Sequence, residues 1–211
     1  MVTSNMEIMK IFWFMVIVVN INANETNDVK QIFEQHEVVS DVVPYAPNRF
    51  LKVTYPNNLE VKAGIELTPT QVKSQPLVEW EADPDTFYAL IMTDPDAPSR
   101  NAPKFREFKH WLVGNIPGND VTKGEVLSAY VGSGPPKNTG LHRYVFLLYK
   151  QNGKLEFDET RVGNNSREER PKFSASNFAT KYSLGHPIEG NFYQAQWDEY
   201  VPVVHKQLSG N

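Results

Sequence analysis

Two short segments of this 211-residue chain hold most of the side chains able to do chemistry. The first, Thr93-Asp94-Pro95-Asp96-Ala97-Pro98-Ser99-Arg100, comes directly after the apolar run Tyr88 to Met92. Its two prolines fix φ and prevent a strand from continuing, so it reads as a rigid corner bearing two carboxylates. The second runs Gly132-Ser133-Gly134-Pro135-Pro136-Lys137-Asn138-Thr139-Gly140-Leu141-His142-Arg143-Tyr144. A glycine-rich loop of this kind lets backbone approach a ligand closely, and its amides can bind an oxyanion. Both segments also have a structural reading, as a turn whose aspartates bond backbone amides and as a hairpin connection. The loop lacks the Gly-Lys-Ser/Thr ending of a phosphate loop and the spacing of a dinucleotide fingerprint, so nucleotide binding by either standard mode is not supported.

These segments need strands to hold them. The 15 prolines and 12 glycines punctuate the chain and leave apolar runs of strand length, a pattern that favours a mainly antiparallel β domain. Strands are predicted at Phe50 to Tyr55, Ile65 to Leu67, Leu77 to Trp80, Phe87 to Thr93, Phe108 to Val113, Val126 to Val131, His142 to Lys150 and Phe192 to Trp197. Helical spacing is confined to Asp28 to Val39, a segment capped by Ser174 and ended by Gly185, and Val201 to Leu208. Alternation along a strand puts His142, Tyr144, Phe146 and Leu148 on one face, and Phe108, His110 and Leu112 on one face of theirs. Arg143 then points the opposite way from His142 and is expected to pair with a carboxylate such as Asp96.

With 40% hydrophobic and 12% aromatic residues the chain can build one core of ordinary size. A formal charge of -4 argues against nucleic acid as a partner. The absence of cysteine excludes disulfides, thiol nucleophiles and Cys-based metal sites. Residues 1–23 carry a short apolar run, Ile11 to Val19, with small and polar residues after it, and read as a signal peptide cleaved after Ala23. Residues 24–211 are then one secreted domain. Asn164-Asn165-Ser166 is an N-glycosylation triplet in a polar stretch that reads as an exposed loop, and Asn24-Glu25-Thr26 matches at the cleavage point.

Taken jointly, Asp94-Pro95-Asp96-Ala97-Pro98, His110 and Gly134-Pro135-Pro136 through Tyr144 resemble the signature segments of the phosphatidylethanolamine-binding protein family. The resemblance continues in Leu67-Thr68-Pro69-Thr70-Gln71-Val72 and in Tyr193 through Pro202, covering the chain from about Val43 onward. It implies a fold: a large antiparallel sheet packed on a smaller one, flanked by a few helices including one at the C terminus. It also implies a small anion pocket lined by Asp94, His110, His142 and Tyr144, with Ala97, Pro98, Gly134 and Pro136 shaping its wall. Imidazoles and a tyrosine hydroxyl can donate to phosphate oxygens there, while Asp94 orients an imidazole or meets an ammonium. Two positions depart from the family pattern: Phe105 stands where many animal relatives carry Tyr, and His205 replaces an aromatic that often borders the pocket.

The function this implies is capture of a phosphoethanolamine-type headgroup or another small anion, without cofactor or metal and with possible peripheral membrane contact. Affinity is expected to fall as pH rises through the imidazole range, about 6.5. An alternative is an extracellular protease inhibitor or interaction partner on the same fold. A hydrolase using Asp94, His110 and His142 is a third reading, weakened by the lack of a nucleophile beside the histidines and of a His-Glu-x-x-His motif.

Overall fold

The computed structural model describes residues 28–210, so the predicted signal segment and the triplet at Asn24 lie outside the described residues. A helix over residues 28–35 (α1) and a distorted turn, Val38–Asp41 (α2), lead into β1 (Arg49–Phe50), β2 (Lys52–Tyr55), β3 (Leu59–Glu60) and β4 (Leu77–Glu79). The long strands β5 (Phe87–Asp94), β6 (Phe108–Pro117) and β8 (His142–Lys150) come next, with β7 (Glu125–Ser128) between the last two. α3 (Ala175–Lys181), β9 (Glu189–Ala195) and α4 (Val201–Leu208) complete the chain.

Six strands form a large sheet in the order β1-β9-β8-β5-β6-β7, and β3-β2-β4 form a small antiparallel one. The large sheet is antiparallel except at one edge, where β1 runs parallel to β9. Its central strands are buried on both faces, which is why β5 and β8 read as nearly unbroken apolar runs. Tyr88, Leu90, Met92, Phe146 and Leu148 face the small sheet. Ala89, Ile91, Val145 and Leu147 face Phe33 of α1 and Phe178 of α3. Each such aromatic, once buried, contributes roughly 1.5–3 kcal/mol to holding the layers together.

Because β5 runs antiparallel to both β6 and β8, the end of β5 lies beside the beginnings of its two neighbours. Asp94, Phe108 and His142 therefore meet at one end of the sheet. The register also slips between Met92/Trp111 and Thr93/Lys109, which leaves His110 as an extra residue in β6. This bulge corrects the simple alternation: Leu112 faces the helices, whereas His110 turns to the side of Tyr144, on which Trp111 also lies.

Three other departures are local. The helix predicted to Val39 stops at residue 35, and Glu37 and Ser40 take positive φ. The His36 carbonyl there accepts from Arg143 and Arg100 side chains instead of continuing a helical ladder. Ile65 to Leu67 makes a single bridge, Glu66 to Gln194, and not a full strand. β9 starts at Glu189, three residues before the predicted Phe192, and passes through Gly190, where a Cβ would press on the Phe146 carbonyl and Pro47 at 3.0 Å.

Glu107 precedes the site strand and binds the start of α3, its Oε1 accepting from the Ala175 N–H at 2.9 Å while Oε2 has no partner. Burial raises its pKa to about 8, against weaker opposing pulls from the Ala175 N–H and from Thr93. Glu107 thus stabilises the fold while protonated, and that contribution fades as pH climbs from its unfolded value of 4.5 through about 8. The expected outcome for Glu107→Gln is a urea midpoint that rises relative to the wild type across this interval. A difference between the two proteins that does not change with pH would contradict the assignment.

Candidate functional site

The corner after β5 is locked by two side-chain pairs that leave β8 in opposite directions. On one face, the Arg143 Nε donates to Asp96 Oδ2 at 2.9 Å and Nη2 to Asp96 Oδ1 at 2.6 Å. The Arg143 backbone N–H reaches Asp96 Oδ2 as well, at 2.9 Å. The guanidinium also reaches the His36 carbonyl and Asp41, both at 2.6 Å. Asp41 is shared with Arg106, whose Nε also donates to the Pro95 carbonyl at 2.6 Å. Both Arg143 and Asp96 are fully buried. Burial alone would raise the Asp96 pKa, but the Arg143 hydrogen bonds and charge outweigh it and hold the carboxyl below the usual range.

On the other face stands His142. Its Nδ1 lies 2.9 Å from Asp94 Oδ2 and its Nε2 2.9 Å from Thr139 Oγ1. Thr139 gives its single hydroxyl hydrogen to the Pro136 carbonyl, so its oxygen must accept from His142. Both imidazole nitrogens therefore donate, which is the pattern of an imidazolium. Burial opposes that charge, yet the hydrogen bond and charge of Asp94 win and raise the His142 pKa. Asp94 orients an imidazole, one of its two expected roles, and its second oxygen takes the Asp96 N–H at 2.7 Å.

His110 is held differently. Its Nδ1 donates to the Val131 carbonyl at 2.8 Å, which leaves Nε2 for the cavity. Full burial drives its pKa down to about 4 despite the nearby Asp94 charge. The site accordingly holds a neutral His110 with a lone pair on Nε2, in place of the expected donor.

The eight residues Asp94, Ala97, Pro98, His110, Gly134, Pro136, His142 and Tyr144 line one cavity of about 250 Å³. Phe105 and His205 line it too. His205 on α4 donates from Nε2 to the Gly134 carbonyl at 2.8 Å, and a Cβ on Gly134 would stand 3.1 Å from Val204, so α4 closes tightly over the loop. Tyr144 is buried, its pKa pushed well up chiefly by that burial, with Ser133 and the Gly134 N–H at its hydroxyl. Tyr193 stacks on its ring at 5.1 Å. Tyr193 in turn shares a 2.6 Å hydrogen bond with Ser133.

Sequence reasoning missed Phe108, Arg167, Val204, Leu208 and Ser209 in this lining. The α4 residues were legible as the apolar stripe of a C-terminal helix. Arg167 carried no signal: it sits in the exposed polar loop after Asn164 and meets the cavity only in the folded chain. Its guanidinium lies 5.2 Å from the Phe105 ring centroid, a cation–π contact. The charges of Asp94 and His142 cancel, as do those of Asp96 and Arg143. Among the described residues Arg167 has no carboxylate partner, so it brings uncompensated positive charge to the cavity mouth. No group of three or more His, Asp or Glu side chains among the described residues is arranged to hold a metal ion.

Comparison with known proteins bears on the family and the fold. A family model described as phosphatidylethanolamine-binding protein matches residues 51–195. A putative odorant-binding protein A5 of Drosophila melanogaster is 41% identical over 187 residues, 89% of each chain. The solution structure of CG7054 is 49% identical and superposes with a TM-score of 0.68 over 82% of this chain and 98% of its own. A carboxypeptidase Y inhibitor, solved with its cognate proteinase, is 26% identical with a TM-score of 0.71 over 82% of this chain and 97% of its own. With a family match spanning well over half of its length, the chain belongs to the phosphatidylethanolamine-binding protein family.

Proposed function

We propose that this protein is a secreted, non-enzymatic binding protein that captures phosphate-type anions, free or as phospholipid headgroups, in the cavity between the β5 corner and α4. The observation that carries the reading is the convergence of Tyr144, the Gly134 loop, a neutral His110 and an unpaired Arg167 on one small cavity. At about 250 Å³ it falls below the ~300–1,000 Å³ of drug-sized pockets, which suits a headgroup and not acyl chains. Likeness to an odorant-binding relative supports an extracellular setting, and no helix among the described residues is long and apolar enough to cross a membrane. Asn164 is exposed and its carbonyl accepts from Gln207 of α4 at 2.8 Å, so a glycan there would stand beside the cavity mouth.

In this reading the proton between ligand and His110 arrives with the ligand. A phosphate monoester, whose second pKa is about 6, offers an O–H to the Nε2 lone pair, whereas the dianion offers only lone pairs. Binding above that pH takes up a proton, so affinity falls as pH rises, by up to about tenfold per pH unit. Calorimetric titration with phosphoethanolamine, inorganic phosphate and ethanolamine in mildly acid and mildly alkaline buffers tests this. The first two are expected to saturate, more tightly in acid, and ethanolamine alone is not. Arg167→Gln is expected to weaken them about tenfold or more, the scale of one charged hydrogen bond. A flat pH profile with an unaltered Arg167→Gln variant would overturn the charge assignment.

A second reading, inhibition of an extracellular protease, draws on the likeness to the carboxypeptidase Y inhibitor. Its test is the activity of carboxypeptidase Y with increasing protein. Stoichiometric loss of hydrolysis supports it, and full activity at excess protein removes this enzyme as a target.

A further inference from the structure

Lys109 precedes His110 in β6 and points to the opposite face of the sheet, away from the anion cavity. It lines a separate, open cavity of about 290 Å³ together with Glu159, Glu169, Phe173, Asn177 and Lys181. Although only 4% exposed, Lys109 makes no side-chain hydrogen bond or ion pair among the described residues; its Nζ sits 5.2 Å from the Phe173 ring centroid. Lys181, on the same cavity, is by contrast paired with Asp158 at 2.6 Å and Glu159 at 2.7 Å. With Lys109 4% exposed and no carboxylate at ion-pair distance among the described residues, its amine is partly desolvated, which favours the neutral, nucleophilic form.

We propose that Lys109 is an imine-forming amine and that this cavity captures small aldehydes. Phe173 and the neighbouring Phe178 offer an apolar wall for a short hydrocarbon tail. Glu159 and Glu169 stand near enough to influence the Lys109 charge and can relay protons. The Nζ lone pair adds to the carbonyl carbon, and a proton passes from Nζ to the carbonyl oxygen to give a carbinolamine. Its hydroxyl then leaves as water while nitrogen forms the C=N bond and gives up its second proton. One amine and one aldehyde yield one imine and one water, with no change in oxidation state. Burial, which outweighs the pull of the two glutamates, lowers the Lys109 pKa and so favours the free amine.

The test is reductive trapping on the whole protein. Folded protein is treated with limiting butanal and sodium cyanoborohydride, digested, and the butylated lysines are mapped by mass spectrometry. The expected result is an adduct at Lys109 ahead of the exposed Lys172, and loss of that preference in urea-unfolded protein, where all lysines compete equally. Lys109→Arg is expected to remove the early adduct and to leave phosphate titration unchanged, since the two cavities lie on opposite faces. Labelling of exposed lysines with Lys109 unmodified, or Lys109 labelled no faster than Lys172, would overturn the proposal and leave the anion-binding reading untouched.

Discussion

The buried pairing of Asp96 with Arg143 is the constraint on which the site depends. A carboxylate and a guanidinium that are both fully buried survive only when nearly every donor and lone pair is used, and here Asp96, Asp41 and the His36 carbonyl surround the guanidinium. The pair fixes the corner after β5 to the first residues of β8 and draws in the chain around His36 and Asp41 from far away in sequence. Because strand neighbours point to opposite faces, placing Arg143 behind the corner places His142 in front of it, against Asp94. Removing one partner would leave an uncompensated buried charge, at about 3–5 kcal/mol.

In front of the corner lies a site whose inner surface is close to neutral. One histidine is charged but neutralised by its own aspartate, and the other is buried so deeply that it sheds its proton. Positive charge enters from the rim, through a loop arginine resting on Phe105. In the proposed function such a site would select anions less by bulk charge than by the protons a ligand brings. α4 closes over Gly134 and keeps the cavity small, so under the proposed function the C-terminal helix would set the size of ligand accepted.

Much of this was legible in the sequence. The two prolines of the Asp94 corner, the glycine loop and the unbroken apolar runs of β5 and β8 each report a local requirement, and local requirements leave local signals. The Arg143–Asp96 pair was legible because alternation in a regular strand is strict. His110 shows where that rule fails: the bulge depends on the pairing register with β5, so counting along β6 alone places Leu112 on the wrong face. The parallel edge of β1 with β9 and the approach of Arg167 to the cavity arise from contacts between distant parts of the chain, and no nearby residue announces them. The protonation states were also hidden, since an imidazole's charge is set by burial and partners and not by its neighbours in sequence.

The electrostatics of the site require the two histidines to be in different states, and a nitrogen NMR titration of the imidazoles in the ligand-free protein reads both at once. The expected spectrum at neutral pH shows His142 with hydrogen on both nitrogens and His110 with hydrogen on Nδ1 alone, gaining its second proton only near pH 4. A His110 that is already doubly protonated near neutrality, or a His142 that is neutral below its ordinary value of 6.5, would contradict it.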